Sequence, residues 1–294
     1  MVDAVVAAPA PTTAGRLDDT TPVLEVQGGP GGVRRDSLRE LWQFREVLLA
    51  FVLRAVKVKY KQAAIGIGWA VLQPVLAALL FALFFGRFVK VPSEGAPYVV
   101  FALAGMVAWN YFSNAVSNSM ESIVADQVML RKVYFPREIF PLAAAGAALV
   151  DFLPGLATLV AASFGFGLTP HLSWLALPVP LLLLVVPATA LGLALSSLNV
   201  YYRDVRYVLP FTLQLALFAT PVVYSLSAVP ETWRTPYAVL NPVAAAIDAL
   251  RRIVLHGAWP SGGITAAAFA WSLLLLACSY VLFKRLERGF SDRI

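Results

Sequence analysis

Charge is scarce in this chain: 14% of its 294 residues are Asp, Glu, Lys or Arg, while 59% are hydrophobic. Soluble domains carry about 25% charged residues, so water is excluded as the main solvent. Cysteine is nearly absent. Cys278 stands alone in an apolar run, which rules out an intrachain disulfide and any cysteine-rich metal site. The two histidines, His171 and His256, lie too far apart for metal-ligand spacing. No G-x-x-x-x-G-K-[ST] run occurs, nor any Gly-Lys dipeptide. The loop that cradles nucleotide phosphates is therefore missing, and any ATP chemistry falls to a partner. The net charge is +6, but the bases cluster beside apolar runs rather than on one domain, which speaks against nucleic acid.

Long apolar runs are what the chain does have. A helix needs about 20 mostly apolar residues to cross the hydrocarbon core of a bilayer. Six stretches qualify, at about 69–88, 98–119, 140–168, 174–198, 208–226 and 264–283. The expected fold class is all-α integral membrane, with six transmembrane helices. Lys and Arg near span ends set the orientation. Arg54, Lys57, Lys59, Lys61, Arg131, Lys132, Arg137, Arg203, Arg206, Lys284, Arg285, Arg288 and Arg293 fall on one side, against Arg87, Lys90, Arg234, Arg251 and Arg252 on the other. Both termini are thus expected in the cytoplasm.

Residues 1–36 read as a disordered cytoplasmic tail, because PAPTTAG and GGPGG bury too little apolar surface to offset chain entropy. They lack the basic start and apolar core of a signal peptide. Residues 38–62 form an amphipathic pattern: Leu38, Leu41, Trp42, Leu48, Val52, Val56 and Tyr60 share a helical face, with Arg39, Gln43, Glu46, Arg54, Lys57 and Lys61 opposite. That suits a helix in the membrane interface, bases toward anionic headgroups, or an ordinary helix packed on another domain. Between the last two spans, residues 241–256 look helical but carry Asp248, Arg251 and Arg252. They are too short and charged to span, which predicts short or re-entrant helices there, starting at Pro230, Pro236 and Pro242.

The chain resembles a known family in several ordered segments. These are KVKYKQAAIGIGWAVLQPVL (57–76), LRKVYFPREIFPLA (130–143), NVYYRDVRYVLPFTLQLALFATPVVY (199–224) and LNPVAAAIDALRRIVL (240–255), with the ending RLERGFSDRI. They are similar to the permease subunit of ABC-type polysaccharide and polyol phosphate exporters, which move O-antigen, capsule, teichoic acid and related lipid-linked glycans. The likeness runs from about residue 41 to the C-terminus. It implies a homodimer in the bacterial cytoplasmic membrane, served by two copies of an ATPase subunit. That subunit would hold ATP and Mg, and this chain would bind no cofactor or metal. The transport path would lie between the two permease copies, each face contributing twice.

Site expectations follow from that likeness together with residue chemistry. The loop at 121–138, with Glu121, Asp126, Arg131, Lys132, Tyr134, Pro136, Arg137 and Glu138, is expected to contact the ATPase; alternatively its bases only set topology. Arg54, Lys57, Lys59, Tyr60 and Lys61 mark the interface helix and entry. Arg203, Asp204 and Arg206 enter the fifth span, either as an ion-pair network or as bases that snorkel. A glycan offers apolar C–H faces edged by hydroxyls, so conduit walls should be aromatic and polar. Candidates are Phe81, Phe84, Phe85 and Phe88; Asn110, Asn114, Ser117 and Asn118; and Tyr207, Phe211, Gln214, Phe218, Tyr224 and Ser225. Packing between helices or contact with lipid would give the same pattern. An outer gate is placed at Trp233, Tyr237, Asp248, Arg251 and Arg252. Asp151, deep in a span, reads as a helix–helix bond or ion pair rather than a proton relay. Export of a lipid, drug or small amphiphile is the alternative within transport. A membrane glycosyl or acyl transferase is disfavoured, because no catalytic cluster of acids or histidines appears.

Overall fold

The computed structural model describes residues 36–61, 66, 68–130 and 135–290, with side chains from Glu40 onward. Among these residues the secondary structure is helical throughout. The helices are α1 (Asp36–Gln43), α2 (Arg45–Lys61), α3 (Gly68–Phe81), α4 (Tyr98–Ala125), α5 (Gln127–Leu130), α6 (Ile139–Gly165), α7 (Pro178–Tyr201), α8 (Val205–Ala219), α9 (Glu231–Leu240), α10 (Pro242–Leu255) and α11 (Gly262–Glu287). α3 continues as a π-helical stretch, Ala82–Phe88. The expected tail at 1–36 falls outside the described residues, save for its last position.

Among the described residues, five helices are long and apolar enough to cross a membrane: Gly68–Phe88, Tyr98–Ala125, Ile139–Gly165, Leu172–Tyr201 and Gly262–Glu287. The fifth expected span, 208–226, is instead the shorter α8 of 15 residues, which at 1.5 Å per residue is about 22 Å long. The break has a local cause. Pro221 disfavours helical geometry at the residue before it, and Thr220 is extended (φ −101°, ψ 143°).

α4 is the central helix, buried on nearly all sides and packed against α6, α7, α3 and α10. α3 and α11 turn most of their apolar surface outward, as helices whose solvent is hydrocarbon do. Two cores result. The larger is built around Phe101, Trp109 and Phe112 of α4 with Leu183 and Leu184 of α7 and Ile247, Leu250 and Ile253 of α10. The smaller gathers Ile123, Phe135, Ile139, Phe140, Leu193, Phe283 and Phe290 at the end of the bundle where the bases cluster, here termed the basic end.

α2 runs alongside α6. Phe51 meets Phe140 edge-on at 5.3 Å, Val52 abuts Gly146, where an added Cβ would lie 3.0 Å from a valine methyl, and Lys59 and Tyr60 reach Asp151. Contacts advance by similar steps on both helices, so the pair share a direction. α9 and α10 are short helices between α8 and α11, where short or re-entrant ones are expected. Asn241 caps α10, its side-chain oxygen accepting from the Ala244 N–H at 3.3 Å, with Pro242 as first residue. α10 is buried on most of its surface against α7, α4 and α11.

Candidate functional site

Asp151 lies twelve positions into α6, and two side chains of α2 converge on it. Lys59 Nζ is 2.5 Å from Oδ2, and the Tyr60 hydroxyl donates to Oδ1. Burial, and the carboxylate accepting its hydrogen bond, push the Tyr60 hydroxyl well above the ordinary tyrosine range. The expected helix–helix pair is therefore formed, and it ties the N-terminal helix to the bundle. Arg54 of α2 makes a second tie to Asp126, at 3.2 Å.

These ties bridge two cavities. One of about 510 Å³ opens between α2, α4 and α6, lined by Arg54, Lys59, Asn118, Glu121, Asp126 and Asp151 among small alanines of α6. A smaller one of about 80 Å³ adjoins it through Lys59 and Asp151, and is lined by Gln73, Asn110, Tyr111 and Asn114. The polar face expected on α4 is thus turned partly into this crevice: Asn110, Asn114 and Asn118 share it with Asp151. Lys57 and Lys61 stay exposed.

The aromatic stripe of α8 is outward. Tyr207, Phe211 and Phe218 are 76%, 63% and 52% exposed, with Gln214 exposed between them on the same face. Leu209 is the one residue of α8 that is buried, and an apolar cavity of about 660 Å³ separates the helix from α4, α7 and α10. On α3 and its π-helical end, Phe84 and Phe88 are exposed, whereas Phe81 and Phe85 meet edge-on at 5.8 Å against the main core. At the start of α8, Asp204 makes no ion pair with Arg203 or Arg206 among the described residues. Its carbonyl instead opens the helix, accepting from Tyr207 and Val208.

Of the expected coupling loop, Arg131, Lys132 and Tyr134 fall outside the described residues. Pro136 and Glu138 are buried. Glu138, 1% exposed, is bound by Lys284 of α11, which also reaches Glu287 at 3.0 Å. Arg137 donates to the Glu287 carbonyl at 2.8 Å and lies over the Phe290 ring. This end of α6 is thereby fastened to the end of α11. Glu121 is exposed and Asp126 partly so.

The opposite end of the bundle holds a cluster that sequence patterns did not bring together. Glu94 accepts from the Ser225 hydroxyl and faces His256 at 3.5 Å. Burial alone would raise its pKa, but hydrogen bonds from Ser225 and Ser227 and the charges of His256 and Arg251 outweigh it and hold the carboxyl below its ordinary range. Arg251 is 3% exposed with its guanidinium stacked 3.5 Å from the Phe101 ring centroid. Burial lowers its pKa to about 9, against the pull of Asp248 and Glu94, so it stays charged at neutral pH. Arg252 pairs with Asp248 at 2.7 Å. Tyr224 and Tyr237 join hydroxyls at 3.1 Å, while Trp233 is exposed. Of the expected gate residues, Arg251 is a buried tie, Arg252 and Asp248 pair with each other, and Trp233 alone projects freely.

Among the described residues no group of His, Cys, Asp and Glu could hold a metal ion. The arrangement is that of a helical multi-pass membrane protein with polar ties at both ends and an unpartnered aromatic helix. The chain belongs to the ABC-2 type transporter family, whose model matches residues 46–255. It is 28% identical over 258 residues to an O-antigen export system permease protein RfbA of Myxococcus xanthus, covering 87% of this chain and 98% of that one. A Klebsiella pneumoniae protein of the same name is 26% identical, covering 84% and 94%. The polysialic acid transport protein KpsM of Escherichia coli is 24% identical, covering 82% and 93%.

Proposed function

We propose that this chain is the permease of an ATP-driven exporter that carries a lipid-linked polysaccharide across the bacterial cytoplasmic membrane, through a conduit between two copies of itself. The exposed aromatic and polar stripe of α8 carries the reading: Tyr207, Phe211, Gln214 and Phe218 face away from their own bundle, and none of the described residues covers them. Such a surface suits the C–H faces and hydroxyls of a sugar chain passing between copies. Relatives over nearly their whole length are named for O-antigen export and polysialic acid transport. In this reading α8 and the turns after it make up the fifth crossing, with α9 and α10 as re-entrant helices at the outer side and both termini in the cytoplasm. α1 and the start of α2 sit at the cytoplasmic interface, where Trp42 of α1 and Leu49 and Leu53 of α2 offer exposed apolar surface to lipid. Two copies of a separate ATPase, docked near residues 121–138, supply the ATP and Mg chemistry.

The test is depletion of the protein, followed by locating lipid-linked polysaccharide on each side of the membrane. Inward accumulation with loss of surface glycan and unchanged total synthesis is the expected outcome. Loss of one glycan intermediate with unchanged sidedness would point to a transferase, and no glycan change to a lipid or drug pump.

A further inference from the structure

Where α8 ends, six consecutive carbonyl oxygens leave the helical pattern, and each accepts a hydrogen bond. The Tyr237 hydroxyl donates to Ala219, and the Val222 N–H to Thr220 at 2.7 Å. Arg251 Nη1 donates to Pro221 at 2.8 Å and to Tyr224 at 3.0 Å, and Nη2 to Val222 at 2.5 Å. The Tyr98 hydroxyl donates to Val223 at 2.5 Å. Arg251 Nε also reaches the Phe101 carbonyl of α4 at 3.3 Å. One planar guanidinium thus binds four carbonyls in a fork that a lysine ammonium does not reproduce. Non-helical backbone inside a membrane protein persists only where protein satisfies it. Gly105 completes the fit, since a Cβ there would lie 2.5 Å from the Val222 oxygen and 2.9 Å from Arg251 Nη2.

Among the described residues the other end of α8 has no such hold. Tyr202, Arg203 and Asp204 are exposed, and since the apolar cavity runs behind the whole helix, from Val205 to Thr220, it is the polar hold that tells the two ends apart. From this asymmetry we infer that Arg251, aided by Tyr98, is a positioning residue that makes the Ala219–Tyr224 end of α8 a fixed pivot, so that α8 swings at its Asp204 end when the transporter works. The inference rests on the reading of α8 as a working wall of the path, but not on which cargo passes.

The test uses full-length protein with its ATPase subunit in lipid nanodiscs, spin-labelled in pairs. One pair, L215C with L182C in a C278S background, reports the pivot end; the other, V208C with the native Cys278, reports the free end. Binding of a non-hydrolysed ATP analogue should shift the free-end distance and leave the pivot-end distance unchanged. Y98F and R251K should each broaden the pivot-end distribution at rest, R251K more, while the free-end shift survives in Y98F. Equal shifts at both ends in the unaltered protein would overturn the pivot, as would no shift at either. A pivot-end distribution as narrow in Y98F as in the parent would also overturn it, and Y98F alone decides if R251K does not assemble. Cargo sidedness after depletion is read separately, so an error about the glycan leaves these distances unaffected.

Discussion

Replacing Asp151 by asparagine removes the charge on which Lys59 and Tyr60 of α2 converge, without changing side-chain volume. Asp151 is 11% exposed, whereas Lys59 is 48% exposed. The lysine therefore regains water on losing its partner, and its share is the under ~1 kcal/mol of an exposed pair. The Tyr60 bond is worth more, because a hydrogen bond to a charged group contributes about 1.5–3 kcal/mol, of which an asparagine oxygen recovers part. The total is about 1–2 kcal/mol, a ~5–30-fold rise in the opening of α2 from α6. Phe51 packing against Phe135 and Phe140 remains, so the helix loosens rather than leaves. Hydrogen exchange in nanodiscs reads this directly, since local opening sets the exchange rate. D151N should speed exchange of α2 amides by that factor and leave α4 unchanged. Unaltered α2 exchange, or equal acceleration in α4, would refute the idea that Asp151 anchors α2.

K284M should be far more damaging than E138Q, because it strands the carboxylate of Glu138 inside the smaller core; breaking a buried pair this way costs about 3–5 kcal/mol, measured as lost thermal stability of the purified protein. G105A should destabilise by about 1–3 kcal/mol, the usual cost of overpacking, as its Cβ meets the Val222 carbonyl and Arg251; an unchanged melting temperature would show that the segment yields freely. Glu94 is held below its ordinary pKa of 4.5, so its contribution to stability is complete above that value and lost as pH falls through the lower folded value. Melting temperature should drop more steeply on acidification below about pH 4.5 in the parent than in E94Q.

Run length and hydropathy made the long helices α3, α4, α6, α7 and α11 legible in the sequence, since a bilayer demands such runs. The fifth crossing was misjudged in extent because hydropathy counts Pro221 and Val222 like any apolar pair, although a proline there is the local signal for a break. Asp151 stood out as a lone acid in a span; that its partner is Lys59, 92 positions away, is tertiary information no local pattern holds. Arg251 and Glu138 were read as surface groups because charge usually means exposure, and both are buried and paired. Glu94, Tyr98 and Lys284 were missed as partners. Only the turn at Glu94 and Gly95, both with positive φ, offered a hint, through the sequence Pro-Ser-Glu-Gly.

The central claim is that two copies of this chain, driven by an ATPase, pass a glycan along α8. Purified permease and ATPase subunits reconstituted in inverted proteoliposomes, with radiolabelled lipid-linked polysaccharide in the outer leaflet, test it most directly. ATP should move the glycan to a glycosidase-protected interior, and F211A with F218A should slow that movement while ATP hydrolysis continues. Full protection without ATP, or transport indifferent to loss of both rings, would contradict the account.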